Sequence, residues 1–296
     1  MKEPIFTGSG VAIITPFNRE TADLSALGRL LDFQLSGGTD AIIVCGTTGE
    51  AATMTYRERM RVIEYCVEHV DGRVPVIAGS GSNSTEQAIA LSRDAERAGA
   101  NGLLVVTPYY NKATQSGLIR HFGLIADAVH SPVILYNVPA RTGVNILPET
   151  YAELAKHPNI NGVKEASGNL SAVQKTLCLC PADFSIWSGN DEETAAICLL
   201  GGQGVISVVA NVLPTLMHNL TQLCLTGDFT AAGKLQLYLK DLCDCLFCEV
   251  NPIPVKTALN FMGMHAGELR LPLCSPSPAN RERIHKTLVQ YGLIEE

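Results

Sequence analysis

Basic charge, long apolar runs and metal-ligand spacings are all scarce in this sequence. Its 296 residues carry 22 Lys+Arg against 29 Asp+Glu, a formal net charge of −7. No basic run interrupts that acidity, so nothing stands ready to neutralise phosphates, and nucleic acid is excluded as a partner. No apolar stretch approaches the roughly 18 residues needed to span a bilayer. The opening MKEPIFTGSG has no apolar targeting segment. No membrane partner is therefore expected, and the reading is cytoplasmic. The seven histidines (69, 121, 130, 157, 218, 265 and 285) are dispersed, and none forms H-x-H or H-E-x-x-H. A metal-dependent mechanism loses its usual ligands, so no metal site and no cofactor is expected. The ten cysteines are also scattered. Without a secretion signal they read as reduced thiols. Cys243, Cys245 and Cys248 cluster in a helix-like run, KLQLYLKDLCDCLFCEV, where only Cys245 and Cys248 share a face. No second pair stands at ligand spacing. Charged residues make up only 17%, below the roughly 25% typical of soluble domains, which points to surface buried against another subunit.

What the chain has is a hydrophobic content of 46%, enough for a sizeable core and too much for disorder. Short β-branched-rich runs recur: VAIITPF at 11–17, DAIIVCG at 40–46, PVIAGSG at 75–81 and GLLVVTP at 102–108. PVILYNVP at 132–139, INGVKEAS at 160–167, FSIWSGN at 184–190 and GVISVVAN at 204–211 complete the series. Continuous rather than alternating apolar runs belong to parallel strands covered on both faces. Segments with helical spacing lie between them, several opening on a capping residue: Asp23, Thr55, Ser84 and Asp191. Eight such units predict an α/β fold, a (β/α)8 TIM barrel, with a C-terminal helical appendage. An open doubly wound sheet would need a G-x-G-x-x-G turn after an early strand, and the turns TPFNRE and GTTGEA lack it. Helical segments are predicted near 213–226, 228–249, 252–265 and 279–292. The division is 1–226 for the barrel and 227–296 for the helical region.

Barrel enzymes build their sites at the C-terminal ends of the strands. Lys164 is the only one of nine lysines inside a predicted strand. Desolvation in a barrel lowers a lysine's pKa, and a neutral amine attacks carbonyl substrates to give a Schiff base. Pairing with Glu165 is the structural alternative, but adjacent strand residues point to opposite faces. Tyr136, at the end of the fifth strand, can pass protons to a carbinolamine; taken alone, it also reads as a core tyrosine. Thr47 and Thr48 sit in a Gly-bracketed turn whose hydroxyls and amides suit a carboxylate, or simply an ordinary βα turn. Arg141 can fork a carboxylate, or lie solvated in its loop. The three carboxylates of GNDEET after strand seven disfavour a phosphorylated substrate.

The motifs GSGVAIITPF, GTTGEAATMT, VIAGSGSNST, VVTPYYNKATQSGL, YNVPARTG, GVKEASGN, SGND and GVISVVANV run in order through the barrel. Together they resemble the 4-hydroxy-tetrahydrodipicolinate synthase (dihydrodipicolinate synthase) family of pyruvate-dependent, Schiff-base-forming aldolases and lyases. The resemblance implies a lyase of the diaminopimelate and lysine biosynthetic branch that condenses pyruvate with L-aspartate 4-semialdehyde. It implies Lys164 as the imine-forming residue. Tyr136, Thr47 and Tyr110 would form a proton relay, with Tyr110 supplied by a neighbouring subunit. It further implies Thr48 on the pyruvate carboxylate, Arg141 on the second substrate's carboxylate, main-chain groups of Gly189 and Ile206 lining the pocket, and a homotetramer built as a dimer of dimers. The alternative is a sister enzyme such as an N-acetylneuraminate lyase or keto-sugar-acid aldolase. Those usually carry a serine–threonine turn and lack the arginine found here as Arg141.

Lysine-inhibited members of the family use residues matching Asn83 and Tyr109 for the effector. They carry histidines and a glutamate where this chain has Tyr56, Arg59 and Gln87. A neutral Gln87 and an added positive charge at Arg59 both disfavour the effector's ammonium, so weak sensitivity to lysine is expected.

Overall fold

The computed structural model describes residues 1–18 and 21–295. Eight parallel strands form a closed barrel in chain order: β1 (Gly8–Ala12), β2 (Ala41–Val44), β3 (Val76–Gly79), β4 (Gly102–Val106), β5 (Val133–Asn137), β6 (Ile160–Glu165), β7 (Ser185–Ser188) and β8 (Gly204–Ser207). Closure comes from β1 pairing with β8, Gly10 opposite Ile206. Alternation divides each apolar run between two cores. Leu103 and Val105 of β4 face outward into the layer shared with the helices. Leu104 faces inward with Ile43, Ile77, Ile134 and Trp187. The outer layer is supplied by amphipathic helices such as Tyr56–Val70, which buries Val62, Ile63, Cys66 and Val70. No helix among the described residues is long and apolar enough to cross a membrane.

Asp23, Thr55 and Ser84 cap their helices as expected, and Thr55 completes a capping box with Glu58. Three expectations need correction. First, β1 begins at Gly8 rather than Val11 and ends at Ala12. Its glycines look like strand breakers, yet a Cβ at Gly10 would come within 2.7 Å of Ile43 and 2.9 Å of Phe6, so the position serves close packing. Second, Asp191 does not cap its own helix, Thr194–Leu199. Its carboxylate accepts instead from the Ser207 hydroxyl and from the amides of Val208 (2.9 Å) and Val209 (3.2 Å), binding the turn after β8.

Third, the segment 228–249 is not one helix but two, Phe229–Tyr238 and Lys240–Leu246. The Tyr291 hydroxyl donates to the Tyr238 carbonyl and accepts from the Leu242 amide at 3.4 Å. It thus occupies the place of the helical bond between those two groups, one recognised cause of a helix break. Because the second helix ends at Leu246, Cys248 lies beyond it and shares no helical face with Cys245. The helix completing the barrel is Pro214–Leu225, and Ile253–Phe261 and Pro278–Gln290 end the fold.

Candidate active site

Strand register assembles the centre of the site. Tyr136 lies opposite Lys164 across β5 and β6, and Lys164 lies opposite Trp187 across β6 and β7. Cross-strand partners share a face, and Tyr136 and Trp187 belong to the barrel interior. Lys164 therefore points inward, with its Nζ 4.5 Å from the centroid of the Tyr136 ring. Glu165 takes the opposite face. Its carboxylate accepts from the Tyr151 hydroxyl (2.8 Å), the Ser167 amide (2.8 Å) and the Asn137 carboxamide (3.2 Å). The neighbouring acid is thus fully engaged elsewhere. Among the described residues Lys164 makes no ion pair.

The electrostatics follow from that isolation. Burial lowers the Lys164 amine to a pKa of about 8; Arg141 adds to the effect, and the buried carboxylate of Asp191 opposes it. Burial raises the Tyr136 phenol above its ordinary value, while Arg141 and a hydrogen bond with the Thr47 side chain pull it back. Near pH 8, amine and ammonium coexist beside a protonated phenol, the condition under which a lysine can attack and a tyrosine can relay protons.

A cavity of about 60 Å³ contains these groups, lined by Lys164, Tyr136, Thr47, Thr48, Arg141 and Gly189 among others. Gly189 is needed for space: a Cβ there would fall 2.7 Å from Ala166 and 3.1 Å from Lys164. Ile206 is fully buried in the barrel interior, and Val208 lines the cavity at the end of β8. A second cavity of about 310 Å³ shares Thr47, Tyr136 and Arg141 with the first and extends to Arg59 and Tyr109. Asn83 donates to the carbonyl of Tyr109, which lines that cavity (3.2 Å); Gln87 is not among its lining residues and accepts from the Ser82 hydroxyl (2.6 Å). Tyr110 is not brought to the site within its own chain; it is 93% exposed and has a left-handed φ of 72°.

One residue of the site gave no signal in the sequence. Asn251 lines both cavities, and its side-chain N–H donates to the Thr48 hydroxyl oxygen at 2.9 Å. Its carbonyl accepts from the Arg141 guanidinium at 3.4 Å, and its own Oδ1 is buried without a partner. Since Asn251 occupies the acceptor side of Thr48, the threonine's O–H is left to donate into the cavity. In the sequence, Asn251 only precedes the helical segment predicted near 252–265, and nothing there marks it as a site residue.

An unpaired, desolvated amine beside a phenol at the mouth of a (β/α)8 barrel is the equipment of a carbonyl-condensing barrel enzyme. Comparison with known proteins narrows the class. The chain belongs to the dihydrodipicolinate synthetase family, whose model matches residues 5–291. It is 53% identical over 294 residues to the 4-hydroxy-tetrahydrodipicolinate synthase of Thermoanaerobacter sp. (strain X514), covering 99% of both chains. It is 55% identical over 291 residues to the enzyme of that name from Caldicellulosiruptor saccharolyticus, covering 98% of each. Among solved structures, dihydrodipicolinate synthase from Thermotoga maritima superposes with a TM-score of 0.96 at 45% identity, over 98% of this chain and 100% of the other. The same enzyme from Cyanidioschyzon merolae, solved with lysine bound, gives 0.96 at 36% identity, over 99% and 100%.

Proposed function

We propose that this protein is a 4-hydroxy-tetrahydrodipicolinate synthase, condensing pyruvate with L-aspartate 4-semialdehyde through an imine on Lys164. The observation that carries the reading is the Lys164 amine, buried without a carboxylate partner and facing Tyr136 across one strand register. Lys164 adds to the pyruvate ketone, and the carbinolamine loses water to give the imine. Loss of a methyl proton gives an enamine, whose carbon attacks the semialdehyde carbonyl as that oxygen takes up a proton. The amino group of the second substrate then attacks the imine carbon, closes the ring and releases Lys164 as the free amine. Tyr136 and Thr47 move the protons. Thr48 donates to the pyruvate carboxylate, the Gly189 and Ile206 main chain borders it, and Arg141 holds the carboxylate of the semialdehyde.

The relay is completed by Tyr110 from a second copy. In support, Tyr110 stands clear of its own chain, and Thr47 is exposed on the cavity flank. The assembly we propose is a tetramer of two tight dimers in the cytoplasm, with residues 1–226 as the barrel and 227–296 as its helical appendage. Borohydride reduction in the presence of pyruvate should fix one three-carbon adduct on Lys164, located by peptide mapping. Labelling of another lysine would overturn the assignment. Tyr110→Phe should lower kcat by about tenfold to a hundredfold while leaving the oligomer's mass intact; unchanged turnover would remove Tyr110 from the relay.

A further inference from the structure

The turn that holds Thr47 and Thr48 is gripped from the far end of the chain by a buried ion pair that the proposed chemistry does not use. Lys256 Nζ lies 2.8 Å from Glu50 Oε1, with both side chains 1% exposed. The ammonium also donates to the carbonyls of Thr15 (3.1 Å) and Glu268 (2.7 Å), which accounts for all three of its hydrogens. Glu50 Oε2 accepts from the Arg270 amide at 3.1 Å. Glu50 follows Gly49 directly and has a left-handed φ of 53°. Its amide donates to the Thr47 carbonyl at 3.0 Å and closes the turn.

A non-glycine residue in that conformation costs about 1–3 kcal/mol and persists where its surroundings determine it. Glycine would remove the backbone cost; glutamate supplies what glycine cannot, a carboxylate for Lys256. A buried ion pair is weak evidence for stability, since apolar replacements of similar size often serve as well. What such a pair does supply is a fixed geometry. Asn251, just ahead of the helix Ile253–Phe261 that carries Lys256, holds Thr48 in the same way. The C-terminal segment thus clamps the turn at residues 48 and 50.

We infer that Glu50 and Lys256 are positioning residues: their pairing holds the Thr47–Thr48 turn in the geometry that receives the substrate carboxylate. This rests on Thr48 as the carboxylate ligand, so Thr48→Val belongs in the test. The double variant Glu50→Gln/Lys256→Met removes both charges together and avoids leaving either one buried alone. It should melt within a few degrees of the wild type and still form the borohydride-trapped adduct at saturating pyruvate. Its pyruvate KM should rise about tenfold, with kcat changed less than about threefold, a split that simple destabilisation does not produce. A folded double variant whose KM stays within about twofold of wild type overturns the inference. If the double variant does not fold, Glu50→Asp decides. It keeps both charges but withdraws the carboxylate by one methylene, and an unchanged KM there also overturns the inference. A raised KM in Thr48→Val alone sinks the clamp and spares the ligand assignment. An unchanged KM in Thr48→Val overturns both.

Discussion

Among the described residues two lysines are buried, one in the barrel wall and one in the C-terminal helical region, and they meet different surroundings. Lys164 is 5% exposed and Lys256 is 1% exposed, and burial is the first cause lowering the pKa of each. They differ in what the ammonium meets. Lys256 finds Glu50 and two carbonyls, and its cost of desolvation is offset by a full set of acceptors. Lys164 meets the face of Tyr136 and an open cavity, with Asp191 acting on it only as a nearby charge. Burial alone therefore does not make a lysine a nucleophile. Burial without a partner is what the proposed imine chemistry at Lys164 requires, because a neutral fraction is then available near its pKa of about 8.

The sharpest way to break this comparison is to remove each amine in turn. Lys164→Ala should abolish the pyruvate adduct and lower kcat by about a thousandfold or more. Lys256→Met should keep the adduct at saturating pyruvate but destabilise the fold by about 3–5 kcal/mol, because it strands Glu50; urea denaturation measures that. An adduct surviving in Lys164→Ala, or lost in a folded Lys256→Met, would erase the distinction. Next in size is Tyr136→Phe, which keeps the ring beside Lys164 but removes the proton carrier. Its kcat should fall about a hundredfold to a thousandfold with little change in melting temperature, and near-normal turnover would return Tyr136 to a packing role.

The isolation of Lys164 also predicts a pH dependence of stability. Its folded pKa of about 8 lies below the ordinary 10.5. Between those values the unfolded chain binds more protons than the native one, so this residue's contribution to stability rises with pH across the window. Below about pH 8 the full penalty applies, about 3 kcal/mol for the depression involved. Lys164→Met should therefore be more stable than wild type by up to that amount at pH 7.5, and the gap should narrow toward pH 10. Thermal melts at both values test it, and a gap that does not change with pH would mean that the ammonium is solvated. The same neutral fraction makes imine formation accelerate as pH rises toward 8.

What could be read from the sequence was local. Lys164 stood out because charge inside an apolar strand is conspicuous in any window, and its alternation with Glu165 assigned the two to opposite faces. The caps Asp23, Thr55 and Ser84 act within three residues, so they too were legible. The misses have distant partners. Asn251 meets Thr48 across 203 residues and Lys256 meets Glu50 across 206. Tyr291 breaks a helix 49 residues before it. Asp191 looked like a cap for its own helix and binds the turn after β8 instead. Even β1 was displaced, because a glycine that breaks isolated strands also fits where Ile43 and Phe6 crowd a barrel wall.

The smallest expected effect lies in the larger cavity, where the comparison turns from amines of the protein to the amine of a ligand. A free lysine entering beside Tyr109 would bring an ammonium that needs an anionic or unoccupied acceptor. Gln87 offers no charge, and its oxygen already accepts from Ser82 at 2.6 Å. Arg59 lines the same cavity, with its guanidinium donating to the Gly79 carbonyl, its Nε buried without a partner and no ion pair among the described residues. Two cations brought within a few ångströms repel, and the apolar walls weaken screening by water. Addition of lysine up to about millimolar concentration should therefore leave turnover nearly unchanged in a coupled assay. Arg59→His with Gln87→Glu should increase sensitivity by removing the fixed cation and supplying the missing anion. Strong inhibition of the wild-type enzyme at sub-millimolar lysine would show that these two residues do not set the preference of the cavity.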